Sequence, residues 1–218
     1  MIPKSSIDDI FKILLLEFDN NIDTQLWYKN NYQLLVAIML SAQATDKGVN
    51  KITDKLFLVL KKPKDAIQLG EQKINEYIKT INYHNTKSKH IVKMSKQLID
   101  NFNGEVPNNF DDLISLAGVG RKTANLVLSI AFKQANIAVD THVFRVSNRI
   151  GLTNAKNVLE TEKQLSKIVP FKFHRQINNL LIPFGRKYCR AIGPKCQDCP
   201  IKKFCSNYKK RKNKTANL

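Results

Sequence analysis

Apolar residues recur at helical spacing along almost the whole chain. Dense apolar stripes run through residues 32–43, 82–102 and 116–131. Three more helical patterns follow Asp140, in the segments THVFRVSNRIGL, NVLETEKQLSKIV and FHRQINNLLIPFGRKYC. The chain shows no convincing run of alternating apolar and polar residues and no repeat of fixed period. The pattern therefore predicts an all-α fold.

Polar residues at the starts of these stripes are predicted helix caps. Asp46 stands before the apolar stripe that begins at Val49, and Asn108 or Asn109 stands before the helical segment FDDLISL. Asp140 stands directly before THVFRV. Side-chain oxygens of Asp and Asn accept hydrogen bonds from the first N–H groups of a helix, so each of these residues is expected to begin one.

The stretch from Leu116 to Asp140 predicts two helices joined by a short glycine turn. Gly118 and Gly120 lie in the turn, Lys122 follows it, and Asp140 comes 18 residues after the lysine. Glycine permits positive φ and close approach of another chain, and the N–H groups that begin the second helix favour an anion. The turn is therefore a candidate phosphate-binding hairpin, and a simple packing turn is the alternative.

The chain carries 36 Lys and Arg residues against 18 Asp and Glu residues, a formal net charge of +18. Such an excess favours a polyanionic partner, usually nucleic acid, because neutralised phosphates release counterions. A basic solubility surface or an anionic membrane is the alternative. The N-terminal apolar segment IFKILLLEF is too short to span a bilayer and is interrupted by Lys12 and Glu17. A cytoplasmic, nucleoid-associated protein with no membrane partner is expected.

All four cysteines fall near the C-terminus, with the spacing C-x6-C-x2-C-x5-C: Cys189, Cys196, Cys199 and Cys205. In a cytoplasmic protein such clustering favours a metal site over disulfides. Zinc sites commonly use two short C-x2-C pairs, and only one such pair is present. The spacing therefore favours an iron–sulfur cluster, with zinc as the alternative.

Together these features resemble the endonuclease III family of DNA glycosylase/AP lyases. The resemblance rests on LAGVGRKTAN (116–125), VDTHVFRV (139–146), the cysteine spacing and MLSAQATDKGVNK (39–51). It implies a helix-hairpin-helix glycosylase fold with two helical lobes, with DNA bound across the cleft between them. One lobe would be a six-helix barrel at 24–133, and the other would combine 1–23 with 134–207 around a [4Fe–4S] cluster held by the four cysteines. Residues 208–218 are predicted to be a basic disordered tail.

The resemblance implies that Lys122 is the catalytic lysine and Asp140 the catalytic carboxylate. A primary amine can attack C1′ of a nucleoside and leave a Schiff base on the sugar. A carboxylate can stabilise the oxocarbenium-like sugar as the base departs. An ordinary surface lysine and an ordinary helix cap are the alternatives for these two residues.

Further positions are implied to contact DNA. Gln43 would fill the gap left by a flipped nucleotide, and residues 81–85 would form a second inserting loop. The implied DNA-binding residues are Gln43, Asn82, Tyr83, His84, Gly118, Val119, Gly120, Lys122, Lys202 and Lys203. The chain departs from the family pattern at Ala117, where a proline is usual, and at Asn82, where a glycine is usual.

The predicted function is that of a monomeric base excision repair enzyme. It would remove oxidised pyrimidines from duplex DNA and cut the strand 3′ to abasic sites by β-elimination. A monofunctional, adenine-type glycosylase and a DNA-binding module without catalysis are the alternatives. The adenine-type enzymes resemble the chain less, since they lack the lysine at the position of Lys122 and carry an added C-terminal domain.

Overall fold

The computed structural model describes residues 2–18 and 24–215, and within these residues it contains helices and no strands. The predicted all-α fold is therefore confirmed. The α-helices run as follows: α1 Ser5–Phe18, α2 Asn31–Ser41, α3 Asp46–Val59, α4 Pro63–Ile78, α5 His84–Phe102, α6 Phe110–Ser115, α7 Arg121–Ala131, α8 Thr141–Ile150, α9 Val158–Ile168, α10 Ile177–Lys187 and α11 Ser206–Thr215. A 3-10 helix at Phe171–Gln176 leads into α10.

Several helix starts follow directly from local side-chain chemistry. Asn109 begins α6, because its side chain accepts a hydrogen bond from the N–H of Asp112 at 2.9 Å. The prediction that Asp46 caps α3 is wrong. Thr45 is the cap, since its hydroxyl oxygen accepts from the N–H of Gly48 at 3.1 Å. Asp46 instead lies in the first turn, where its negative charge suits the positive end of the helix dipole.

The chain divides into two compact units, here called the central unit (Thr24–Gln134) and the terminal unit (Met1–Asp23 with Ala135–Leu218). The central unit contains α2 to α7. Its core is built around α2, whose residues from Tyr32 to Leu40 are all buried. A helix buried on every side needs apolar residues all round, which explains why this segment shows no polar face.

The terminal unit joins α1 to the helices that follow residue 135. Its core includes Ile10, Phe11 and Leu14 from α1 and Leu181 and Phe184 from α10. Phe11 stacks on Phe173 of the 3-10 helix, with 4.9 Å between ring centroids. The N-terminal helix therefore belongs to the same hydrophobic core as the C-terminal helices.

The basic C-terminal segment differs from the disordered tail predicted at 208–218. Helix α11 continues through Thr215, and residues 216–218 lie outside the described residues. The segment SNYKKRKNKT contains neither glycine nor proline, and its lysines and arginine are good helix formers. No helix of the described ranges is long and apolar enough to cross a membrane.

Candidate functional site

The predicted hairpin is present between α6 and α7 in the central unit. Gly118 has φ +77°, in the left-handed region that favours glycine. A Cβ atom on this residue would lie 2.8 Å from both His90 Nδ1 and Met39 Cε, so any other residue here would have to displace side chains of α5 and α2. Val119 is buried and its N–H donates to the carbonyl of Leu116 at 3.1 Å. Gly118 and Gly120 are exposed.

A glutamine on α5 fixes the backbone of this hairpin. Gln97 Oε1 accepts from the N–H of Ala117 at 2.7 Å, and Gln97 Nε2 donates to the carbonyl of Ser115 at 3.1 Å. A proline at position 117 has no N–H and could not make the first of these bonds. The alanine therefore gains a tertiary hydrogen bond where the family pattern has a rigid ring.

Lys122 lies in the first turn of α7 and is exposed. Gly120 is the N-cap residue, and it has no side chain to cap the helix. Arg121 places its guanidinium 4.5 Å from the ring centroid of Phe110 on α6, which ties the start of α7 to the preceding helix. The lysine therefore stands at a positive helix end on a well-anchored turn.

Two residues implied to insert into DNA have unusual backbone conformations. Gln43, just after α2, has φ +57°, and Tyr83, the N-cap of α5, has φ +60°. Left-handed φ is uncommon outside glycine and asparagine, and such residues concentrate at functional sites. Both side chains are exposed, with Tyr83 63% exposed although it is a large aromatic. Asn82 Nδ2 donates to the carbonyl of Gln43 at 2.8 Å, so the structure brings these two loops together.

Asp140 is the N-cap of α8 in the terminal unit, as predicted. Its Oδ1 accepts from the N–H groups of His142 and Val143 at 2.8 and 2.9 Å. Its Oδ2 lies 3.7 Å from Nδ1 of His142, and the carboxylate side chain is 15% exposed. No pattern in the sequence singles out His142, which becomes a neighbour of the carboxylate because helical geometry turns it back toward the cap.

Two arginines of α8 hold the loop that carries the cysteines. Arg145 Nε donates to the carbonyl of Cys189 at 3.1 Å. Arg149 donates to the carbonyls of Arg190 and Ala191 at 2.6 and 2.9 Å, and its Nη1 lies 4.0 Å from Cys189 Sγ. The helix that begins at Asp140 therefore also anchors the cysteine loop.

The four cysteines line a single cavity with free thiols. Its wall also contains Ile150, Phe184 and Ile201, and the basic side chains of Arg149, Lys195 and Lys202. Burial raises the pKa of the Cys199 thiol to about 11 and also raises the pKa of Cys205. Thiols in such a site ionise when a cation or a cationic cluster replaces their protons.

Among the described residues, no three or more His, Cys, Asp or Glu side chains are arranged to hold a metal ion. The cysteines share a cavity without forming a set of ligands around one ion.

The other predicted DNA-binding lysines lie on the same loop. Lys202 and Lys203 are both exposed. The Lys202 amine donates to the carbonyl of Gln197 at 2.6 Å, and the Lys203 amine lies 4.7 Å from the ring centroid of Phe204. Each amine thus has a neighbour within the loop, and the DNA contact of both lysines stays a prediction.

Comparison with family models identifies one match. Residues 36–171 match the model described as "HhH-GPD superfamily base excision DNA repair protein". This region includes the hairpin, Lys122, Asp140 and both loops with left-handed residues.

Known proteins and structures resemble the chain over nearly its whole length. Endonuclease III of Haemophilus influenzae is 48% identical over 188 residues, which are 86% of this chain and 89% of that protein. A structure of a trapped endonuclease III–DNA covalent intermediate is similar with a TM-score of 0.90 and 41% identity, over 97% of this chain and 100% of the other. A structure of a non-covalent endonuclease III–DNA complex gives a TM-score of 0.89 at 41% identity, over 98% of this chain and 100% of the other.

Proposed function

The chain belongs to the HhH-GPD superfamily of base excision DNA repair proteins and, within it, to the endonuclease III family, and on this basis we propose a catalytic or DNA-binding role for each of its site residues. It is a DNA glycosylase with AP lyase activity that binds duplex DNA and acts in base excision repair. Its substrates are oxidised pyrimidine nucleotides and abasic sites. The observation that carries the assignment of residues is the exposed Lys122 in the first turn of α7, behind the glycine hairpin.

The hairpin holds one phosphate of the DNA backbone. Exposed Gly118 and Gly120 allow the phosphate to approach the backbone closely, and the N-terminus of α7 favours its negative charge. Because the formal net charge of the chain is +18, nonspecific attraction to DNA is strong and falls with added salt. Binding at the hairpin sets the position of the strand relative to Lys122.

Lys122 Nζ attacks C1′ of the flipped nucleotide, and the bond from C1′ to the base breaks as the new C–N bond forms. The base leaves with the electron pair and takes a proton. Asp140 stabilises the positive charge that develops on the sugar. The sugar ring then opens to an iminium, loss of the 2′ proton expels the 3′ phosphate, and water releases the amine by hydrolysing the imine.

The exposed side chains of Gln43 and Tyr83 fill the DNA stack when the nucleotide leaves it. A base inside a duplex is out of reach of Lys122, so extrusion must come first and leaves a gap. The left-handed backbone of both residues supports this role, because strained residues persist where function requires a given orientation.

The activity is tested on a duplex with a single thymine glycol. The native protein is expected to cut the strand without added alkali, and to leave matched duplexes with thymine or 8-oxoguanine intact. Base release without strand scission until hot alkali is added would instead indicate a monofunctional glycosylase. Binding without either reaction would indicate a DNA-binding module.

We further propose that Cys189, Cys196, Cys199 and Cys205 hold a [4Fe–4S] cluster. The cavity fits this group, since it combines four thiols with an apolar wall, and the positive charges of Arg149, Lys195 and Lys202 offset the negative charge of a thiolate-bound cluster. When bound, the cluster cross-links the irregular segment between α10 and α11. Arg145 and Arg149 hold the backbone of that segment in place.

Metal analysis tests the cluster. The purified chain is expected to contain about four iron and four sulfide ions and to show the visible absorbance of an iron–sulfur cluster. Cys199→Ser should lose that absorbance and unfold at a lower temperature, since metal binding adds to folding free energy. Ser166→Ala, at an exposed position of α9, is the control and should keep both. One zinc ion per chain without sulfide would contradict the proposal.

A further inference from the structure

The end of α2 is held by an unusual set of hydrogen bonds. The last carbonyls of a helix have no partner within it. Here Ser41 Oγ donates to the carbonyl of Ile38 at 2.8 Å, and the N–H of Ala44 donates to the carbonyl of Ser41 at 3.1 Å. The carbonyls of Leu40, Ala42 and Gln43 accept hydrogen bonds from side chains at or just before the start of α5. The turn that carries Gln43 is therefore fixed by tertiary bonds.

Lys87 of α5 provides two of these bonds from a buried position. Its Nζ donates to the carbonyls of Leu40 at 2.8 Å and Ala42 at 2.6 Å, and the residue is only 8% exposed. Burial lowers the pKa of this ammonium group. The negative end of the α2 dipole and two carbonyl acceptors offset the cost of burying its charge.

Asn82 provides the third bond, from the second loop. Its Nδ2 donates to the carbonyl of Gln43 at 2.8 Å. A glycine at this position, which the family pattern favours, has no side chain and could not make the bond. The chain therefore joins its two DNA-facing loops through a residue in which it departs from the pattern.

The second loop has its own anchor on α4. Nδ1 of His84 contacts Oδ1 of Asn75, and Asn75 Nδ2 donates to Oδ1 of Asn85 at 2.7 Å. These bonds fix the start of α5, directly after the left-handed Tyr83. Because Asn82 and Lys87 flank this start and both reach the Gln43 turn, the two loops form one connected structure.

We propose that Asn82 and Lys87 are positioning residues that hold Gln43 in its left-handed conformation, ready to insert into the DNA stack beside Tyr83. The proposal rests on the proposed function of Gln43. A side chain held in its inserting geometry before binding loses less conformational entropy on reaching the DNA. Neither residue has to touch the reacting sugar.

A double-mutant cycle separates this role from a direct DNA contact. In Asn82→Ala, cleavage of the thymine glycol duplex is expected to slow by about five-fold, because one hydrogen bond to the Gln43 turn is lost. In a Gln43→Ala background Asn82 can still donate to the backbone carbonyl of residue 43, but the side chain that this bond positions is absent. Adding Asn82→Ala there should then change the rate by less than about two-fold.

Lys87→Met tests the two buried hydrogen bonds that Lys87 donates to the end of α2. The straight apolar side chain fills the slot and leaves the carbonyls of Leu40 and Ala42 without their donor. Lys96→Met is the matched control, since it removes one exposed positive charge from the same helix. With 2-aminopurine next to the lesion, Lys87→Met should lose most of the fluorescence rise that reports unstacking, whereas Lys96→Met should keep it.

The outcomes distinguish this inference from the proposed function. If native protein fails to cut the lesion duplex, the proposed function fails and the inference with it. If native protein cuts and Asn82→Ala cuts equally well, only the inference is overturned. An equal loss in both backgrounds would likewise overturn it, because Asn82 would then act without Gln43. If Lys87→Met folds with a full fluorescence rise, the role of Lys87 is refuted.

Discussion

Lys122→Gln is expected to abolish covalent trapping of the protein on a duplex with one abasic site. Borohydride reduces a Schiff base between an amine and C1′ and so links protein to DNA permanently. Glutamine keeps much of the length and polarity of lysine but has no nucleophilic amine. Strand cleavage should fall by at least about 10³-fold, as expected when a covalent nucleophile is removed. Gel mobility of the reduced mixture measures the adduct.

Lys93→Gln is the matched control for this variant. Lys93 is an exposed lysine of α5, and its replacement removes the same charge. It should therefore weaken binding only slightly at low salt and leave trapping intact. An adduct that persists in Lys122→Gln would mean that another amine is the nucleophile. No adduct from native protein, with duplex binding intact, would exclude a lyase.

Local chemistry explains why parts of the site could be predicted from the sequence. The glycine turn between α6 and α7 and the Asp140 cap of α8 both depend on residues close together in the chain. A short-range pattern specifies them because the hydrogen bonds that form them span two to four residues. The start of α3 shows that even short-range patterns can mislead. Thr45 and Asp46 are adjacent and either could cap the helix, but only Thr45 does.

The bonds that fix the loops could not be predicted in this way. Lys87 meets Leu40 across 47 residues, and Gln97 meets Ala117 across 20. In the sequence each is an ordinary polar residue in the amphipathic pattern of α5, because periodicity says which face a residue occupies but not which atoms it meets. Lys87 even falls on the buried face, where a lysine is unexpected without a partner.

The two departures from the family pattern have the same physical character. Ala117 lacks the rigid ring of proline but offers an N–H to Gln97, and Asn82 lacks the freedom of glycine but donates to Gln43. In each case a hydrogen bond to a distant segment restricts the conformation of a loop. In the family pattern the proline ring would restrict the first loop, and the glycine would leave the second loop free.

Asp140→Asn is expected to separate catalysis from helix capping. Asparagine caps a helix about as well as aspartate, so the bonds to the N–H groups of His142 and Val143 persist. The negative charge that we propose to stabilise the developing positive charge on the sugar is removed, and base excision should slow by about 10²-fold or more. Single-turnover release of thymine glycol measures the rate, and thermal unfolding should show nearly the native midpoint.

Asp140→Ala completes this comparison because it removes both the charge and the cap. Its rate should match that of Asp140→Asn, while its free energy of unfolding should fall by about 1 kcal/mol, the usual cost of a lost N-cap. Native rates in Asp140→Asn would show that the carboxylate serves only to begin α8. A slow Asp140→Ala beside a fully active Asp140→Asn would assign the whole effect to the orientation of the helix, and the charge would then have no part in excision.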